Sequence, residues 1–284
     1  MEKDIEIKHV SEFIQQIEQI SSRFMRNQHF YYRGESNINL LLPSLYRKID
    51  NVSGPEAYIS KSSEKKILRE FMTEAASFID NLSVDDVFRW VQYAQHFGVP
   101  TRLMDWTSNP LVALFFACSS NQEKDGKVYI LNSLGYRLLL DEDDANNMDG
   151  KFIKEEAHKM IWESEDTFPY PIPFKPYCFD IRMHSQSSLF LVWGSKKLPL
   201  DRLINELEAT GKKKEIVKYL CARGVEEACA EELEILSEIS IKGIHKAQLR
   251  RELDSIGVNH ASLFPGLDGI GKSIEWRNNW KNML

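Results

Sequence analysis

The chain has 284 residues, 43% of them hydrophobic and 27% charged, with a formal net charge of −6. That is the make-up of an ordinary globular protein, and it excludes the basic stripe with which a protein takes a broad electrostatic grip on nucleic acid. No apolar run approaches the roughly 20 residues that cross a bilayer, and the N-terminal MEKDIEIKHV lacks a basic flank followed by an apolar core, so a soluble, cytoplasmic protein with no membrane partner is expected.

Ser11–Phe24 places Phe13, Ile14, Ile17 and Ile20 at helical spacing, with Ser11 in the cap position. His29-Phe-Tyr-Tyr32 is an aromatic run of strand type that delivers Arg33 and Gly34 at its end. Leu40–Arg47 reads as an extended segment with a turn directed by Pro43. Lys61–Asn81 predicts a helix, and a second one follows with Ser83 as cap, carrying Gln95 and His96 in its last turn and stopping at Gly98. A short strand is expected over Thr101–Trp106. Ser108 or Asn109 then caps a helix with Pro110 at its first position. Lys127–Leu131 is a further strand, and the acidic Asp141–Asp149 reads as a solvated loop.

Pro169–Pro176 predicts an extended connector. Leu189–Trp193 predicts a strand, entered through Arg182–Gln186. Residues 200–238 read as charged helix, a helical insertion into a single domain spanning 1–284. Ile239–Ile241 suggests one more strand. Helices follow over Lys246–Ile256 and from Gly266 to near Trp280. Helices with five to seven short strands give an α+β fold, a small mixed or antiparallel sheet flanked by many helices. The four cysteines (Cys118, Cys178, Cys221, Cys229) show no Cys-x-x-Cys pairing, so reduced thiols are expected and no metal site.

The stretch from Gln92 to Ala117 mixes His96, Gly98, Pro100, Arg102, Asp105, Trp106, Thr107, Ser108 and Asn109 with an apolar run. Packing alone does not call for that set, so the stretch is read as one wall of a site whose other walls are Tyr31–Gly34 and Arg182–Phe190. Each residue also has a plain structural use. Arg33 can pair with Asp105, since buried charges are normally paired; His96 suits a helix C-terminus; Thr107, Ser108 and Asn109 make a cap cluster; and Gln186 can close a gap in backbone hydrogen bonding.

These blocks resemble the FRG-domain family, named for a Phe-Arg-Gly-like motif present here as Tyr32-Arg33-Gly34. The resemblance continues in Leu42–Arg47, Ala94–Thr107, Pro110–Ala117, Arg182-x-x-x-Gln186-x-x-x-Phe190 and Leu263–Asp268. Glu35 stands where the family has Gln, Phe97 where a second His is common, and Ser188 where Gly is common. Such families often sit in bacterial defence or toxin loci.

The block order is also similar to that of Arg-Ser-Glu ADP-ribosyltransferases. That similarity implies a transferase-like fold with NAD as substrate, Arg33 gripping a phosphate and Gly34 offering backbone groups to the nicotinamide amide. Thr107 and Ser108 would bind a ribose, and Gln186 would stand where the family has its Glu. An amide cannot replace a carboxylate, so His96, Asp105 or Glu35 would have to supply that function. Arg33, His96, Thr107, Ser108 and Gln186 are therefore the expected catalytic set, with Arg33, Gly34, Arg102 and Asp105 holding the cofactor. The expected partners are a nucleotide-type small molecule and a protein target. The function implied is an NAD-using transferase or NAD-hydrolysing enzyme; the alternative is a module that binds nucleotide or protein without chemistry.

Overall fold

The computed structural model describes residues 6–22, 30–47, 61–79, 82–120, 122–140, 155–156, 158–163, 167–176 and 178–281. Strands β1 (Phe30–Glu35), β2 (Leu103–Thr107), β3 (Gly126–Asn132), β4 (Ile172–Phe174), β5 (Ser188–Val192) and β6 (Leu236–Ile241) make one antiparallel sheet in the order β4-β5-β2-β1-β3-β6. The helices are α1 (Val10–Ser22), α2 (Lys61–Ala75), α3 (Val87–His96), α4 (Pro110–Ala117), α5 (Ser133–Leu139), α6 (Ile181–Ser185), α7 (Leu200–Leu207), α8 (Lys213–Cys221), α9 (Glu227–Glu231), α10 (Gly243–Ser255), α11 (His260–Leu263) and α12 (Leu267–Lys281). The class is α+β, with a sheet antiparallel throughout. Among the described residues no helix is long and apolar enough to cross a membrane.

Side chains alternate across the strands, and the two faces differ. One face carries Met104, Trp106, Tyr129, Leu131, Leu189 and Leu191 into a core completed by Trp193, Tyr136, Leu200, Leu203 and Leu220. Residues 200–238 therefore contribute to this core, and the chain passes from them into edge strand β6. The other face holds two separate cores. One packs α4, α1 and α10 over Tyr32, Val128 and Ile130; the other packs α3 over Leu103, Phe190 and Val192. The seam between these two cores is where the strands part. β1 and β2 share a single registered pair, Tyr32↔Thr107, whereas β1 and β3 stay in register from Phe30↔Asn132 to Glu35↔Lys127.

Several elements start or end differently from the sequence reading. Glu12, not Ser11, completes the start of α1: its carboxylate accepts from the Lys8 and His9 amides at 2.7 and 3.0 Å. Asp86 rather than Ser83 caps α3 by accepting from the Arg89 amide, while Ser83 Oγ accepts from Asp85. The proline-rich connector contains edge strand β4, whose Pro173 suits an edge. The entry to β5 is helix α6, and β6 begins at Leu236. The aromatic strand is present as β1 from Phe30; its expected first residue His29, the end of the first helix at Phe24 and the acidic loop Asp141–Asp149 lie outside the described residues.

Gly34 is a packing glycine. A Cβ there would sit 1.7 Å from the Ala113 carbonyl oxygen and 2.7 Å from the Ala117 amide nitrogen, because β1 runs directly against the backbone of α4. That neighbour is backbone and cannot rotate aside. Gly34→Ala is expected to cost about 3 kcal/mol, the upper end of overpacking, read as a lower urea midpoint at unchanged slope.

His260 gives the fold a pH dependence. Burial, with Arg250 and Lys272 adding repulsion, pushes its imidazole down to about 4, against about 6.5 in an unfolded chain. Between those values the unfolded chain binds the extra proton, so stability is present above about pH 6.5 and is lost as pH falls towards 4. Urea midpoints compared at about pH 7.5 and about pH 5 should fall in the wild-type chain, and by less in His260→Gln. An equal fall in both would place the dependence elsewhere.

Candidate functional site

The parting of β1 from β2 opens a cleft of about 230 Å³, lined by residues of both strands, of α3 and of the α6–β5 segment. Beyond the pair at Tyr32↔Thr107, the Asp105 carbonyl of β2 is met by the Arg33 guanidinium through Nη1. A side chain here takes a place that a strand amide would otherwise fill, and the sheet stays open beside it.

Arg33 lines the cleft with every one of its nitrogens engaged. Nε donates to Glu35 Oε1 at 3.0 Å, Nη2 is ion-paired with the same oxygen at 2.9 Å, and Nη1 holds the Asp105 carbonyl. The pairing with Asp105 is thus to its backbone, not its carboxylate. Glu35 is buried, shares the same oxygen with Arg47 at 3.2 Å and is not part of the cleft lining. Its other oxygen, Oε2, is buried without a partner among the described residues.

Arg182 is placed differently. Asp180 caps α6, its Oδ1 accepting from the Arg182 amide at 2.6 Å, and its Oδ2 lies 3.4 Å from His96 Nε2. The Arg182 guanidinium stacks 4.5 Å from the Phe264 ring centroid, and its Nε is buried with no hydrogen-bond partner among the described residues. Burial holds the group below the ordinary arginine range, while Asp105 and Asp180 work in the opposite direction. A half-buried cation, stacked in place and without an ion pair among the described residues, is what an anion site requires. The sequence reading took Gln186 from this block and passed over Arg182. The four-residue spacing that puts both on one side of a helical turn was the available signal.

His96 lines the same cleft. Burial lowers its pKa, and Arg182 adds to that while Asp180 and Asp105 oppose it; the ring is neutral at pH 7 and offers one donor and one acceptor. Asp105 also lines the cleft and accepts from Gln95 Nε2 at 2.6 Å. Thr107 and Gln186 meet there, but through structural bonds: Thr107 Oγ1 donates to the Gln186 carbonyl at 2.6 Å and accepts from the Asn109 amide. The side-chain amide of Gln186 donates to the Leu263 carbonyl at 3.0 Å, and its own carbonyl oxygen has no partner among the described residues. Gly34 lines the cleft as the close-packing residue already described.

Two expected members are elsewhere. Ser108 is exposed and outside the lining; its amide donates to Ser187, which sits at φ 48° where the chain turns from α6 into β5. Asn109 is the cap of α4. Arg102 is buried beneath the sheet, paired with Glu64 through two bonds of 2.8 and 2.6 Å, so it is not available to a cofactor in the cleft. Aromatic and apolar lining comes from Tyr32, Trp106, Phe116, Met183 and Phe190. Among the described residues no group of His, Cys, Asp or Glu could hold a metal ion.

No curated protein and no solved structure matches the chain. A family model does match, over residues 28–126, which supply the Arg33, His96, Asp105 and Thr107 walls of the cleft while Arg182 and Gln186 come from beyond it: the chain carries an FRG domain.

Proposed function

We propose that the cleft binds a nucleotide and that NAD is its substrate, cleaved at the bond between nicotinamide and ribose in an ADP-ribosyltransferase-like or NAD-hydrolysing reaction. The observation that carries the reading is Arg182, whose guanidinium has no ion pair among the described residues and lines a cleft that also presents a neutral imidazole, an amide carbonyl and aromatic walls. A pyrophosphate satisfies the guanidinium fork. The His96 ring and Gln186 Oε1 suit ribose hydroxyls, and Phe116 suits a flat ring. Arg33, fully engaged with Glu35 and the Asp105 carbonyl, shapes the site and leaves the phosphate to Arg182.

A second reading, binding without turnover, is favoured by one observation. The position compared with a catalytic Glu is Gln186, and its amide nitrogen is already committed to Leu263. Calorimetric titration with ADP-ribose and an assay of nicotinamide release from NAD separate the two. Saturable binding with release supports the enzyme, and binding without release supports the module. Absence of binding to NAD, ADP-ribose and ADP alike would sink both.

A further inference from the structure

Oppositely charged groups that share a cleft attract one another. Asp105 and Arg182 both line this one, and the Asp105 carboxylate acts on the Arg182 guanidinium, yet no ion pair joins them among the described residues. Something holds the carboxylate where it is. The Leu103 amide donates to Thr101 Oγ1 at 3.1 Å, the Thr101 hydroxyl donates to Gln95 Oε1 at 2.6 Å, and Gln95 Nε2 donates to Asp105 Oδ2 at 2.6 Å. Every link fixes the direction of the next. A backbone N–H can only donate, which turns the hydroxyl proton towards Gln95, which in turn presents its NH2 end to Asp105. Thr101 is buried, 4% exposed, so this chain of bonds is anchored in the protein and not in solvent. It occupies one oxygen of Asp105 and leaves Oδ1 without a partner among the described residues.

The other nearby carboxylates are committed. Glu35 is buried beneath Arg33 and Arg47. Asp180 caps α6 and faces His96. Among the described residues, Asp105 is the one carboxylate that lines the cleft.

We propose that Asp105 is the catalytic carboxylate of this site, taking the part that Gln186 cannot, and that Thr101 and Gln95 are positioning residues that keep it from collapsing onto Arg182. The assignment rests on the NAD reading above. The bond from ribose C1′ to the nicotinamide nitrogen breaks, and its electron pair goes to that nitrogen, leaving neutral nicotinamide. The positive charge passes to C1′ and the ring oxygen of the ribose, where the carboxylate offsets it. Water then adds its oxygen to C1′ and gives up a proton to solvent, so that NAD and water yield ADP-ribose, nicotinamide and one proton.

The test uses the full chain with two readouts, ADP-ribose affinity and nicotinamide release. Asp105→Asn should lower kcat for release about 100-fold with ADP-ribose affinity unchanged. Thr101→Val should lower kcat by up to about 100-fold at unchanged KM, and Thr101→Ser, which keeps the hydroxyl, should restore it. A merely structural Thr101 would move KM or folding instead. Wild-type turnover in Asp105→Asn overturns the assignment. A wild-type chain that binds ADP-ribose but releases no nicotinamide overturns the catalytic role while nucleotide binding stands. A chain that does neither overturns the nucleotide reading and this role with it.

Discussion

Arg182→Met is expected to weaken ADP-ribose binding about 100-fold while leaving the melting temperature unchanged or higher. The two effects have one cause. A guanidinium bonded to phosphate is worth about 2–3 kcal/mol when it is truncated, and each 1.4 kcal/mol is about tenfold in affinity. In the free protein the same group is partly desolvated, and its Nε has no partner among the described residues. Removing it relieves a cost instead of breaking a bond. What the fold loses is the contact with Phe264, about 0.5–1 kcal/mol for a cation over a ring, part of which methionine returns through its sulfur. Arg182→Lys keeps the charge without the planar fork and should bind between the two. If Arg182→Met unfolds the chain, or binds ADP-ribose as wild type does, the guanidinium is structural and the cleft needs another anchor.

The sequence announces the fold through local signals that tertiary packing left intact. Asn109-Pro110 opening an apolar run is a helix start wherever it occurs, and α4 begins there. Gly98 at φ 81° ends α3 as expected. What was not legible depended on partners distant in the chain. β4 lies hidden in a proline-rich stretch because its single pairing, Ile172↔Val192 to Phe174↔Phe190, is with a strand fourteen or more residues later. The site divides in the same way. Arg33, His96, Asp105, Thr107 and Gln186 could be chosen as polar residues in suspicious company, and they share one cleft. Which of them is free to bind could not be chosen, because that depends on whether Glu35, Leu263 or Asp180 has already taken the side chain. Arg33 and Arg182 look alike in sequence; one is spent on Glu35 and a strand carbonyl, and the other has no ion pair among the described residues. Gly34 shows the same ambiguity from the other side. A glycine after an arginine suggests close approach to a ligand, and here the close approach is to the backbone of α4.

Arg102 carries the largest stability effect expected of the residues once assigned to the cleft. It pairs with Glu64 of α2 through Nε to Oε1 at 2.8 Å and Nη2 to Oε2 at 2.6 Å, with both side chains 10% exposed or less. Its Nη1 reaches the Trp193 carbonyl at 3.3 Å, so one side chain ties α2 to the end of β5. Glu64→Gln or Arg102→Met alone strands a charge or polar partner in the interior and should cost about 3–5 kcal/mol. The double variant Glu64→Leu, Arg102→Met removes both charges together and should recover most of that loss, because the pair offsets its own desolvation without much surplus. Urea midpoints of the two single variants and the double variant measure this directly. The double variant also decides a question of function that either single variant would blur by unfolding. Should it fold and still bind ADP-ribose with wild-type affinity, Arg102 belongs to the frame and Arg182 to the site; should it fold and fail to bind, the anion is held from beneath the sheet and the cleft has been assigned to the wrong arginine.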